Sequence, residues 1–150
     1  MNAFKVKILE QCKKTLLDRK EHLTSAIAEL NASMENETKS SLGDKHETAR
    51  ARMQAEAEKL HRQRNELMDQ IVLLQKTDLT RSTKNISAEH LVKTSNGLFF
   101  LCIPLGKIEI ENQTVFIISP VSPLGQRLLG LKTGDSFTLN ARNYTIEAIY

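Results

Sequence analysis

Tryptophan is absent from this 150-residue chain and aromatic residues make up only 5% of it. That is low for one compact core and natural for a chain that spends half its length in long helices. No apolar run approaches the roughly 18 residues of a membrane span. The opening residues Met1-Asn2-Ala3-Phe4-Lys5-Val6-Lys7 lack the basic-then-apolar order of a secretion signal. A soluble, cytoplasmic protein without a membrane partner is the expectation. Only two cysteines occur, Cys12 and Cys102, far apart in sequence and in different types of segment, which predicts two buried free thiols rather than a disulfide.

The charge excess is also small. Net charge is +3, with 14 basic and 12 acidic residues up to Thr77 and 7 basic and 6 acidic residues after it. This is too weak and too evenly spread for direct nucleic-acid binding. Signatures of catalysis are missing as well: no phosphate-binding glycine loop, no GxSxG elbow, no HExxH and no paired CxxC. His22, His46, His61 and His90 stand at spacings that suit no metal site, and all four are expected on the solvated surface. The chain reads as a protein factor rather than an enzyme.

No proline or glycine precedes Gly43, so nothing interrupts a helix from Ala3 to Lys39. Leu9, Leu16, Leu23 and Leu30 recur every seven residues there, with Cys12, Ala26, Ile27 and Met34 beside them. Met53, Leu60, Leu67 and Leu74 repeat the pattern from Asp44 to Lys76, with Ala57 and Ile71 beside them. A leucine row alone is compatible with homodimerisation. The two rows together are more specific, because Leu9 with Leu74, Cys12 with Ile71, Leu16 with Leu67, Leu23 with Leu60, Ala26 with Ala57 and Leu30 with Met53 all have positions that sum to 83. That relation pairs the rows in antiparallel order about a midpoint between Ser41 and Leu42. It predicts an intramolecular hairpin, and so a monomer, projecting about 50 Å at 1.5 Å per helical residue. Arg19 and Arg64 obey the same sum; two guanidiniums cannot share a dry seam, so both are expected to turn outward, towards Glu66 or Asp18.

After a Thr-, Ser- and Asn-rich linker at residues 77–85, period-two patterns predict three β-hairpins: 91–94 with 98–103, 107–110 with 114–118, and 136–139 with 144–149. Ser122-Pro123 starts, and Gly130 stops, one short helix. The expected fold is α+β: an antiparallel coiled-coil hairpin over residues 1–77 and a small antiparallel sheet domain with one short helix over 78–150.

Where the second long helix starts, Asp44 and Glu47 stand three residues apart. The plain reading of Asp-x-x-Glu at that place is a capping box. The functional reading is an incomplete ligand pair for a hard divalent cation such as Mg²⁺, to be completed by another protein. Arg50 and Arg52 follow one turn later, either facing phosphates of a partner complex or simply solvated.

Gly43-Asp44-Lys45-His46-Glu47-Thr48-Ala49 resembles the Gly-Asp-x-x-Glu-Asn-Ala tip of the Gre family of bacterial transcript-cleavage factors. The stretch from Ile118 to Asp135, with Ser119-Pro120, Leu128-Leu129-Gly130 and Gly134-Asp135, is similar to that family's C-terminal pattern. The resemblance implies an FKBP-like second domain that docks on RNA polymerase at its secondary channel. It implies a hairpin that enters the channel, contact with nucleic acid only through the elongation complex, and Asp44 and Glu47 helping to hold a Mg²⁺ shared with the polymerase active centre during cleavage of backtracked RNA. Arg50, Arg52 and the segment Ser122, Pro123, Leu124 and Gly125 are the partner-binding residues on this reading. Thr48 in place of Asn, and Arg50-Ala51-Arg52 in place of Glu-Tyr-His, make the tip more basic than the family pattern. These departures leave open a channel regulator that does not stimulate cleavage, and the residues alone leave open a coiled-coil adaptor with a small binding domain. Prolyl isomerase activity is disfavoured, because the few aromatic residues of the second domain are needed for its core.

Overall fold

The computed structural model describes residues 2–39 and 43–150. The element order is α1 (Asn2–Lys39), α2 (Gly43–Gln75), β1 (Leu91–Thr94), β2 (Gly97–Leu101), β3 (Gly106–Ile110), β4 (Gln113–Ile118), α3 (Pro123–Leu128), β5 (Ser136–Leu139) and β6 (Arg142–Ile149). The α+β class follows directly. No helix among the described residues is long and apolar enough to cross a membrane. Packing divides the chain into two compact units, Lys14–Ile71 and Met1–Lys13 with Val72–Tyr150. The ends of both long helices therefore group with the sheet, whereas a boundary at residue 77 follows the elements.

In the helical unit, Leu16, Ile27 and Leu67 are buried, and Leu23, Ala26, Leu30, Met34, Met53, Ala57, Leu60 and Ile71 are half-buried. A pair of helices can cover only one stripe on each partner, so partial burial is the natural state of such a seam. Arg19, His22 and Leu23 of α1 line one ≈ 420 Å³ cavity with Gln63, Glu66, Leu67 and Gln70 of α2. These stretches thus lie side by side, as antiparallel pairing requires. Arg19 and Arg64 are exposed, and among the described residues neither forms an ion pair with Asp18 or Glu66. The expected apex at Ser41 and Leu42 lies outside the described residues.

The sheet has the order β3-β4-β2-β1-β6-β5. All three expected hairpins are present. The expectation of an entirely antiparallel sheet is corrected at one place: β2 and β4 run parallel, with Phe99 opposite Phe116 and Phe100 opposite Ile117. Strand β4 (Gln-Thr-Val-Phe-Ile-Ile) is more apolar than β3 (Gly-Lys-Ile-Glu-Ile). The β3-β4 hairpin therefore puts β4 inside, against β2, and leaves the charged strand at the edge, where unpaired backbone is tolerated. At the hairpin tips Glu111 and Asn112 (φ 50° and 63°) and Asn140 and Ala141 (φ 50° and 62°) are left-handed, as two-residue turns matched to strand twist require.

Alternation along the strands produces two buried faces. One carries Val92, Phe99, Leu101, Tyr144 and Ile146, closed by Leu128 of α3 and by Ile86. The other carries Leu91, Phe100, Val115 and Ile117, all at most 1% exposed. Ile8 and Cys12, both fully buried on the part of α1 that belongs to this unit, supply apolar surface for it. The ion pair of Lys7 with Glu111 and the 3.5 Å contact of Thr77 Oγ1 with Cys102 Sγ join the helix ends to the sheet. Ile8 is fully buried here, whereas Leu9 of the heptad row is half-buried.

Candidate functional site

The carboxylate pair sits at the beginning of α2. This helix starts at Gly43, so Asp44 falls within its first turn, where an acidic residue opposes the positive end of the helix dipole. The side chain of Asp44, like that of His46, lies outside the described residues. Glu47 is exposed, as are Arg50 and Arg52, while Ala49 and Met53 are half-buried. At about 100° per residue, Glu47 stands about 200° around the helix from Ala49. It is therefore carried on the face opposite the inner stripe. Among the described residues no three His, Cys, Asp or Glu side chains come together as a metal site. Hard carboxylate oxygens are donors of the type that Mg²⁺ takes.

The segment around α3 is built differently from a free binding loop. The Ser122 side chain is an N-cap: it accepts from Gly125 N at 3.1 Å, and its hydroxyl donates to Ser119 O at 2.6 Å. Pro123 occupies the first helical turn, where its missing N–H costs nothing. Leu124 packs against the core, and Gly125 is buried with no room for a side chain. Ser122, Leu124 and Gly125 thus shape the loop, while the surface it offers is Val121 at 76% exposure, Leu129 at 39% and the exposed Gln126 and Arg127. Arg127 lies over the Phe137 ring, 5.1 Å from its centroid, and Phe137 stacks on Tyr144 with centroids 5.0 Å apart. Nothing in the sequence marks Val121, between two Ser-Pro pairs, as a surface residue.

Both cysteines are buried free thiols. Burial, then the neighbouring Cys102, pushes the Cys12 thiol up to about 12; burial raises Cys102 too, against a hydrogen bond from Thr77 that lowers it. Burial disfavours the thiolate form of both.

His22 and His61 are exposed as expected, but His90 is a correction: only 1% of it is accessible. It occupies the residue before the interior strand β1, and its Nδ1 accepts from Ser87 N at 3.0 Å. Burial and the nearby Lys5 ammonium hold its pKa below the usual histidine range. Lys5, also unforeseen, is 2% exposed. It lies on the same i, i+3, i+7 stripe as Ile8 and Cys12, which was the available signal.

Residues 105–150 match the family model described as "Transcription elongation factor, GreA/GreB, C-term". No curated protein matches the chain. Among solved structures, one titled "Structure of the transcription factor Gfh1" aligns over 92% of this chain and 92% of its own, with 18% sequence identity and a TM-score of 0.37. The matched C-terminal segment spans β3 to β6 and includes the whole of α3. That segment is similar to the C-terminal part of the GreA/GreB transcription elongation factors.

Proposed function

We propose that this protein is a transcription elongation factor that docks on RNA polymerase through its sheet domain and inserts its helical hairpin into the secondary channel, where it stimulates cleavage of backtracked RNA. The observation that carries this reading is the family match of residues 105–150. It is supported by two long helices of 38 and 33 residues ahead of that domain and by an exposed Glu47 at the start of the second. On this reading the nuclease centre belongs to the polymerase. The chain contributes oxygen ligands, Asp44 and Glu47, to a Mg²⁺ whose chemistry is to activate water and neutralise the phosphodiester. Arg50 and Arg52, one turn along, are placed to meet RNA phosphates or the channel wall.

The test is release of short 3′ RNA fragments from stalled, backtracked complexes. Wild-type protein should release them, and Asp44→Ala with Glu47→Ala should not, while polymerase binding is retained. A second reading has a specific basis: Thr48, Arg50 and Arg52 depart from the family's tip pattern. It makes the hairpin a channel regulator without cleavage, and it is favoured if wild-type protein displaces a cleavage factor from polymerase yet releases no fragments.

A further inference from the structure

We propose that the helical unit Lys14–Ile71 contains a hinge at the level of Arg19 and Arg64, about which the stretches 20–39 and 43–63 open and bend as one piece. Leu16 and Leu67 are 0% and 5% exposed, so their layer of the seam is dry. Heptad order makes Arg19 and Arg64 the next layer, and both are exposed. Among the described residues neither is held by an ion pair. Guanidiniums do not close a dry seam, so the place an apolar pair would fill stands open as the ≈ 420 Å³ cavity that Arg19 and Leu23 line with Gln63 and Leu67. Beyond it the seam is thinner: Leu23, Ala26, Leu30, Met53, Ala57 and Leu60 are half-buried. Ile27, at 9% exposure, is the one buried apolar residue among the described residues of these stretches.

The backbone is loosened at the same level. Thr24 Oγ1 donates to Lys20 O at 2.8 Å, and a hydroxyl that bonds back to the carbonyl four residues earlier weakens and bends a helix. The turn from Lys20 to Thr24 joins the open layer to the Leu23 layer, so the packing gap and the weakened turn coincide. A layer without apolar partners forfeits burial on both helices, and local opening follows the layers with the least of it. The physical consequence is a helix pair with two mechanical parts within one unit. The part around Leu16 and Leu67 holds, while the part that carries Glu47 takes a range of directions. This follows from the seam alone, whatever the hairpin meets.

Native-state hydrogen exchange of the full chain, read amide by amide by NMR, tests the hinge. Amides of residues 23–30 and 53–60 should share one opening equilibrium, separated by a step from the slower amides around Leu16 and Leu67. Arg19→Leu with Arg64→Leu fills the layer and should slow exchange beyond it about tenfold or more, as expected for two newly buried leucines. Arg19→Gln with Arg64→Gln removes both charges without filling the gap and should leave the step in place. Protection that declines evenly from Leu16 to Leu30, a leucine variant that exchanges like wild type, or a glutamine variant that gains as much as the leucine one would each overturn the proposal.

Discussion

Gly125→Ala is expected to be among the most damaging single-methyl additions in the sheet unit. A Cβ at Gly125 would fall onto the carbonyl oxygen of Ser119 and lie 2.9 Å from both Pro120 O and Ser122 Oγ. None of these atoms is the loose end of a flexible side chain. Ser119 O accepts from Ser122 N at 3.0 Å and from the Ser122 hydroxyl at 2.6 Å, and Ser122 Oγ caps α3 through Gly125 N. Making room therefore dismantles the cap, worth about 1 kcal/mol, and adds overpacking strain of about 1–3 kcal/mol because Leu128 of the same short helix is fully buried in the core. The total is about 2–4 kcal/mol, a drop of about 10–25 °C in Tm for a domain of this size. Urea denaturation of wild type, Gly125→Ala and Ser122→Ala measures it. Ser122→Ala loses only the cap and should cost about 1 kcal/mol. If Gly125→Ala proves no worse than Ser122→Ala, the close approach of the Ser119 carbonyl does not constrain this position and the reasoning is wrong.

Leu16→Ala, at a fully buried position of the helical seam, should cost about 2–5 kcal/mol, whereas Leu17→Ala, 46% exposed, should change stability by no more than about 0.5 kcal/mol; urea unfolding followed by circular dichroism separates them. His90 has a folded-state pKa below its ordinary value, so the unfolded chain binds the extra proton first. Stability is then present above the unfolded pKa of about 6.5 and declines as pH falls from there through the folded value. His90→Gln should flatten that part of the pH profile. Lys5 and Arg81 oppose the imidazolium and Glu89 favours it, so Glu89→Gln should steepen the decline. Alkylation with iodoacetamide at pH 8 should leave Cys12 untouched in the native protein and modify it fully in urea, since its thiol is pushed up to about 12; rapid native labelling would contradict the burial.

The seam of the helices was legible because heptad spacing needs only the helix to be regular. Each predicted seam residue, from Leu9 and Cys12 to Ile71 and Leu74, is buried or half-buried. The three hairpins and α3 were legible for the same kind of reason: their turns and caps are local chemistry, as at Asn112, Asn140 and Ser122. What sequence did not disclose depends on neighbours distant in the chain. The parallel pairing of β2 with β4 is a choice between two strands for one inner place in the sheet. Burial of Lys5 and His90 follows from α1 and the segment before β1 meeting in one unit; His90 carries no periodic mark of that fate, and Lys5 only its place on the stripe of Ile8 and Cys12. The tip carboxylates were legible only as a motif; the structure adds that Glu47 is exposed near the start of α2.

The role proposed for Asp44 and Glu47 is to lend oxygen ligands to the polymerase's catalytic Mg²⁺. The most direct measurement is the Mg²⁺ dependence of fragment release from one backtracked complex, alone, with wild-type protein, and with the Asp44→Ala, Glu47→Ala variant at saturating, matched polymerase occupancy. Wild type should lower the half-saturating Mg²⁺ concentration for cleavage, and the variant should leave it at the value of polymerase alone. An unchanged Mg²⁺ requirement with wild-type protein, or an equal reduction by the variant, would contradict the claim.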